Sequence, residues 1–169
     1  MFFEEKLAKD IAQAIHEKGG RAFFVGGKNR NHFMKQMGYP FAEKEDKDID
    51  MEVYFLSKET LSQILSQFGE IDYVGKSFGV FKLKHTNIDI ALPRREVQAK
   101  ILHNERTIIL PHHIDKVEIE NMYPNYKIKV CPEESFGHKD FIVIPDPFMS
   151  FKEAAERRDF TMNSIMVDV

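Results

Sequence analysis

Residues 48–55 leave little freedom in how they can fold. Ile49, Met51, Val53 and Phe55 alternate with Asp48, Asp50, Glu52 and Tyr54, which is the two-residue period of a β-strand. Side chains at i and i+2 of a strand share a face. Asp48 and Asp50 therefore project side by side, while Ile49 turns into the opposite, apolar layer. Two carboxylates that close disfavour each other's ionised form unless a cation lies between them. A hard divalent cation with oxygen ligands suits such a pair, and magnesium (Mg2+) in company with nucleotide phosphates is the commonest solution. A solvent-facing acidic edge would carry the same pattern.

The chain around this strand mixes helices with short strands. Phe3, Leu7, Ile11 and Ile15, with Ala8 and Ala12 beside them, predict an amphipathic helix over 3–18, ended by Gly19-Gly20. Arg21–Val25 reads as a strand broken by Gly26-Gly27. A short helix is expected from Lys28 to about Met37, stopped by Gly38-Tyr39-Pro40, with a charged loop over 43–47. Ser57 caps a helix carrying Leu61, Ile64, Leu65 and Phe68, ended by Gly69. Tyr73–Leu83 and Asn87–Leu92 are expected as two strands turning at His85-Thr86-Asn87. Thr107–Leu110, Lys127–Cys131 and Phe141–Ile144 are further strand candidates within a stretch, 97–136, that is otherwise hard to read. Ser150 and Glu153 form an S-x-x-E capping box. A turn at Asp159-Phe160-Thr161 and a closing strand over 164–169 follow. This alternation of helices and hairpins predicts an α+β fold.

Three further groups bear on chemistry. The strand ending at Val25 runs into Gly26-Gly27 and then a helix. Glycines let the backbone come close to a ligand, and a helix start offers free N–H groups to an anion. Arg30, in the first turn, can fork onto phosphate oxygens. Asp89 lies among Ile88, Ile90 and Leu92 on the less apolar side of a strand. If that strand pairs beside the one with Asp48 and Asp50, three carboxylates meet, enough for two metals, or for one metal and a base. Arg157-Arg158-Asp159, with Asn163 beyond, offers a phosphate clamp and acceptors for ribose hydroxyls. Each group has a plainer reading: turn glycines, a surface aspartate, and basic residues at a helix C-terminus. Lys82, Lys84, Arg94 and Arg95 would make a basic strip for RNA phosphates, or simply a solvated face. His112-His113 is read as a polar loop ahead of a zinc site.

The bulk composition narrows the class. The chain has 169 residues, enough for one domain with a real core, and a formal net charge of -3, so no global basic field advertises nucleic-acid binding. A single cysteine, Cys131, excludes an internal disulfide and a thiolate zinc cluster. No apolar run approaches the roughly 20 residues of a membrane span. A cytoplasmic protein with no membrane partner is expected.

Together, Val25-Gly26-Gly27 with Arg30, then Asp48-Ile49-Asp50, then Arg157-Arg158-Asp159-Phe160-Thr161 with Asn163, resemble a known family. They are similar to the head domain of class II tRNA nucleotidyltransferases (CCA-adding enzymes) and bacterial poly(A) polymerases, of the polymerase-beta-like superfamily. Pro145-Asp146-Pro147 through Glu153-Ala154-Ala155 also resembles the family's lead-in to its last motif. The resemblance implies a nucleotidyltransferase head with a mixed or antiparallel sheet flanked by helices. It implies one head domain over 1–169 with an insertion at about 97–136, the family's neck, body and tail lying outside it.

The same resemblance implies the roles. Gly26, Gly27 and Arg30 would meet the triphosphate. Asp48 and Asp50 would hold Mg2+. Asp89 would orient or deprotonate an RNA 3′-hydroxyl. Arg157 and Arg158 would contact the nucleotide, and Asp159 with Asn163 would favour ribose. The partners would be ATP or CTP and the 3′ end of tRNA or another RNA. The departures are Asn31 in place of the family's Asp, and Lys28-Asn29 in place of a small apolar pair. They put the internal tether of the helix in question. Two other functions fit the same motifs: a standalone transferase modifying a protein or small molecule, and a nucleotide-binding domain without catalysis.

Overall fold

The computed structural model describes residues 3–39, 48–74, 79–157 and 165–169. Helix α1 (Phe3–Glu17) buries Ala8, Ile11, Ala12 and Ile15, the stripe its spacing predicts. Gly19 closes it at φ +84°. The Gly19 N–H donates to the His16 carbonyl and the Gly20 N–H to the Ile15 carbonyl, which is a Schellman motif. Strand β1 (Arg21–Val25) leads through Gly26 into α2 (Gly27–Gln36), then β2 (Ile49–Tyr54) and α3 (Lys58–Leu65). The Ser57 hydroxyl accepts from the Thr60 N–H, as a cap should. Helix α3 ends at Leu65, four residues ahead of Gly69, its last turn continuing as a looser turn through Phe68.

A six-stranded sheet joins these elements to β3 (Ile71–Val74), β4 (Val80–Leu83), β5 (Ile88–Ala91) and β11 (Val167–Asp168) in the order β11-β1-β2-β5-β4-β3. The pair β2–β5 is parallel and the others are antiparallel, so the sheet is mixed and the fold α+β. The single strand expected over Tyr73–Leu83 is two strands, β3 and β4, paired with each other. Apolar alternation persists across a reversal, so periodicity alone misses it. At the hairpin between β4 and β5, His85 takes φ +63°, and the Thr86 hydroxyl bridges the Leu83 carbonyl and the Ile88 N–H.

One face of this sheet, with Ala22, Ile49, Met51, Val53, Phe81, Leu83, Ile88 and Ile90, packs against α1 and α3 as the main core. The other face carries Phe23, Val25 and Tyr54. These pack with Met149, Met166 and α5 (Phe151–Glu156), through Phe151 and Ala154. Phe55, expected on the apolar face of β2, lies past the end of the strand at φ +67° and is 38% exposed. Its N–H donates to the Pro147 carbonyl.

The chain divides into two compact units, residues 1–95 with 145–169, and residues 96–144. The stretch 97–136 falls inside the second. It has its own core of Val97, Ala99, Ile108, Leu110, Ile119, Ile142 and Ile144. Strands β6 (Arg94–Gln98) and β10 (Phe141–Pro145) pair, and β7 (Lys100–Leu102), β8 (Thr107–Pro111) and β9 (Lys127–Cys131) form a three-stranded sheet. Strands β8 and β9 are parallel, joined through α4 (Lys116–Met122), whose cap Asp115 accepts from the Val117 N–H at 2.9 Å. No helix among the described residues is long and apolar enough to cross a membrane.

Candidate active site

Sheet register assembles the acidic face. Asp50 on β2 lies opposite Asp89 on β5, and Asp89 lies opposite Lys82 on β4. Asp48 stands exposed just ahead of β2, and Asp50 and Asp89 are half-buried. The Lys82 ammonium sits 2.8 Å from Asp89 Oδ2. The hydrogen bond and charge of Asp89 hold Lys82 above the ordinary lysine range, and the Asp48 and Asp50 charges add to this. All three carboxylates thus act on one ammonium. Among the described residues, no three acidic, His or Cys side chains close on a common point that a metal ion could fill.

The same face deepens away from Asp50. Glu52, two residues on, is 4% exposed and Tyr54 is fully buried. The Tyr54 hydroxyl donates to Glu52 Oε1 and lies 3.5 Å from Met166 Sδ. Phe23, Tyr54, Phe55 and Phe151 meet edge-on around it, and the Arg21 guanidinium covers Phe23 and Phe151. The face therefore has an open acidic end and a closed aromatic end.

The glycine turn belongs to the open end. Gly26 adopts φ +79°, ψ -156°, a region only glycine enters without strain. A Cβ at Gly26 would stand 2.7 Å from Asp50 Oδ2, so the backbone here lies directly against the carboxylate. Helix α2 begins at Gly27 with no side-chain cap. Its first-turn N–H groups carry the partial positive charge that favours an anion. Arg30 lies in that turn, its Nε donating to Asn31 Oδ1 at 3.1 Å. The internal tether in question is supplied by Asn29. Buried, it donates from Nδ2 to the Phe24 carbonyl of β1 and to the Ile165 carbonyl at 3.3 Å. Lys28 reaches Glu5 of α1 at 2.8 Å, and this hydrogen bond holds Glu5 below the usual carboxylate range.

Of the last motif, Arg157 is the C-cap of α5, and its Nε is buried without a hydrogen-bond partner among the described residues. Arg158, Asp159 and Asn163 lie outside the described residues, as do the turn at 159–161 and the loop at 43–47. The Ser150–Glu153 capping box that starts α5 is complete. Three residues of the basic strip pair with acids. Lys82 pairs with Asp89, Lys84 with Glu70 and Asp72, and Arg95 lies 3.6 Å from Asp146. His113 pairs with Glu133 at 2.6 Å.

Two solved structures are similar to the chain. One is the Bacillus stearothermophilus CCA-adding enzyme in complex with CTP: 20% identity, 98% of this chain and 28% of that one, TM-score 0.48. The other is a tRNA nucleotidyltransferase complexed with a primer tRNA and an incoming ATP analogue: 20% identity, 94% of this chain and 31% of that one, TM-score 0.46. The chain thus spans less than a third of the length of either. No protein-family model and no curated protein matches it.

For three residues of this region the structure supplies partners that the sequence pattern does not: Asn29, Glu52 and Lys82. Asn29 had a signal, since a polar residue stands where a small apolar one is usual. Glu52 had a partial one, a carboxylate in register with Asp50. Lys82 groups with a basic strip in the sequence, because its partner lies on another strand.

Proposed function

We propose that this chain transfers a nucleotidyl group from a ribonucleoside triphosphate, ATP or CTP, to the 3′-hydroxyl of an RNA, with release of pyrophosphate. The observation that carries this reading is the contact between Gly26 and Asp50. It sets an uncapped helix start, which suits phosphate, beside a carboxylate that suits a cation. A triphosphate held at α2 would share its charge with a cation on Asp48 and Asp50, as phosphoryl chemistry requires.

The donor set fits magnesium, which is usually held by one or two carboxylates plus substrate phosphates rather than by an all-protein cage. Asp48 and Asp50 would hold Mg2+, and bound there it would neutralise charge on the phosphates. Gly26 and Gly27 keep side chains out of the approach to the helix start. Arg30 and Arg157 bring guanidinium groups to the nucleotide, and Arg157 Nε, which has no hydrogen-bond partner among the described residues, is a donor for an anionic or ribose oxygen. By the family resemblance, Arg158 contacts the nucleotide while Asp159 and Asn163 take the ribose hydroxyls. Asp89 faces the acceptor hydroxyl.

The test is incubation with tRNA lacking its 3′ end, labelled CTP or ATP, and Mg2+. Label should appear on the RNA, and Asp48→Ala should abolish it. Label on a protein or small molecule, with none on RNA, would overturn the acceptor. Unchanged labelling by Asp48→Ala would overturn the metal assignment. Calorimetry should find similar, weak affinities for ATP and CTP.

A further inference from the structure

We propose that Asn29 is a positioning residue for the triphosphate site: its side-chain amide fixes the start of α2 between β1 and Ile165, and with it the first-turn N–H groups and Arg30. The inference rests on the reading of α2 as the phosphate-binding helix and deepens it.

A helix is ordinarily held to a sheet by an apolar stripe. Helix α2 lacks one. Asn29 is its one buried residue, at 7% exposure, while Phe33 and Met34 are half-buried and the rest are polar, charged or glycine. Burying an amide is unfavourable unless its hydrogen bonds are made. Asn29 Nδ2 has two hydrogens to give, and it has two acceptors. One is the Phe24 carbonyl of β1, the other the Ile165 carbonyl at 3.3 Å. Phe24 stands in register with Met51 on β2 and Val167 on β11, and Ile165 comes just before β11 in the chain. Asn29 thus pins α2 where the β1–β11 pairing ends. A small apolar residue would fill the space but donate to neither carbonyl.

The direction of these bonds matters. Asn29 is the third residue of α2, where the side chain of a capping box turns back to the N-cap N–H. Asn29 donates to two carbonyls instead, so it holds the helix start while leaving the N–H groups that favour an anion to a ligand. Arg30 is the next residue, and its Nε is held in turn by Asn31 Oδ1 at 3.1 Å. One amide therefore sets both the backbone donors and the guanidinium. The ion pair of Lys28 with Glu5 also ties α2 down, but it is partly exposed and correspondingly weak.

The experiment is calorimetric titration of the whole chain with ATP and Mg2+, alongside transfer kinetics and titration with Mn2+ alone. Asn29→Leu keeps the size and removes both donors. It should weaken ATP binding and raise KM for ATP about tenfold, with kcat changed less than about threefold and Mn2+ binding unchanged. Asn29→Ser is smaller but keeps one donor, and should lose only about threefold. A Ser variant weaker than the Leu variant would make Asn29 a space-filler and overturn the proposal. So would a fall in melting temperature with KM for ATP unchanged, or a loss of Mn2+ binding in step with ATP. If the Leu variant fails to fold, Asn29→Ser decides, and an unchanged KM for ATP there overturns it. Wild type that binds no ATP would overturn both this inference and the reading of α2 beneath it.

Discussion

On one face of the six-stranded sheet, Ile49, Met51, Val53, Ile88 and Ile90 are closed off from water beneath α1 and α3. On the other, the residues interleaved with them run from exposed Asp48, through half-buried Asp50, to buried Glu52 and Tyr54. The strands are the same and only the cover differs. Two helices lie along the first face. On the second, the cover comes from α5, Met149 and Met166, which pack on Phe23, Val25 and Tyr54. The acidic end needs water and ligand access to be of use, and the aromatic end anchors it. A side chain on the first face should matter to stability and not to chemistry. On the second face its effect should depend on how far along the strand it stands.

The largest expected effect is on the open end. Asp50→Ala should lower nucleotide transfer by at least about a thousandfold, roughly 4 kcal/mol of transition-state stabilisation, while the melting temperature holds. A parallel fall in melting temperature would mean that Asp50 is structural and the two faces are not distinct. Next comes the closed face. Ile90→Ala should cost about 3 kcal/mol of unfolding free energy, read by chemical denaturation, and leave ATP affinity as it is.

Gly26→Ala should combine both effects. The glycine-only backbone and the approach to Asp50 Oδ2 predict a loss of about 2 kcal/mol, together with weakened Mn2+ binding as the carboxylate is pushed aside. Stability lost without any change in Mn2+ binding would separate the turn from the acid site.

The smallest effect belongs to the α5 cap. Ser150→Ala should cost about 1 kcal/mol. Ser150, through its hydroxyl and its backbone N–H, holds Glu153 below its usual value of 4.5. A carboxylate depressed on folding adds stability that is present above the unfolded value and is lost as pH falls through the folded one. Wild type should therefore lose this increment on acidification below about pH 4.5, and Ser150→Ala should lose less.

Much of the first unit was legible. Helix α1 follows from its four-residue spacing and Gly19, α5 from Ser150 and Glu153, and β2 from strict alternation. The second unit was less so. Strand β6 is rich in charged residues and β7 is three residues long, so neither shows a period. Helix α4 has seven residues and one buried apolar side chain, Ile119, too few for a helical stripe to stand out. The β3–β4 reversal was hidden because both strands are apolar. In the site, the acids, the glycine turn and Arg30 were visible, being type-specific and close in sequence. Arg158, Asp159 and Asn163 stand on the sequence resemblance alone.

What the sequence by itself determined is local. Asp48 and Asp50 share a strand face because the backbone alternates, Gly26 ends β1 because nothing else takes that turn, and Ser150 starts α5 because its hydroxyl reaches Glu153. The tertiary structure alone decided which acid stands beside which. Asp50 meets Asp89 through parallel pairing across 39 positions of chain, and Lys82 meets Asp89 through the hairpin register. Asn29 reaches Ile165 across 136 positions, and Tyr54 locks Glu52 beneath α5 and Met166. These contacts depend on strand order and cover, which no local period encodes. A one-residue slip in either pairing would send Asp89 or Lys82 to the opposite face.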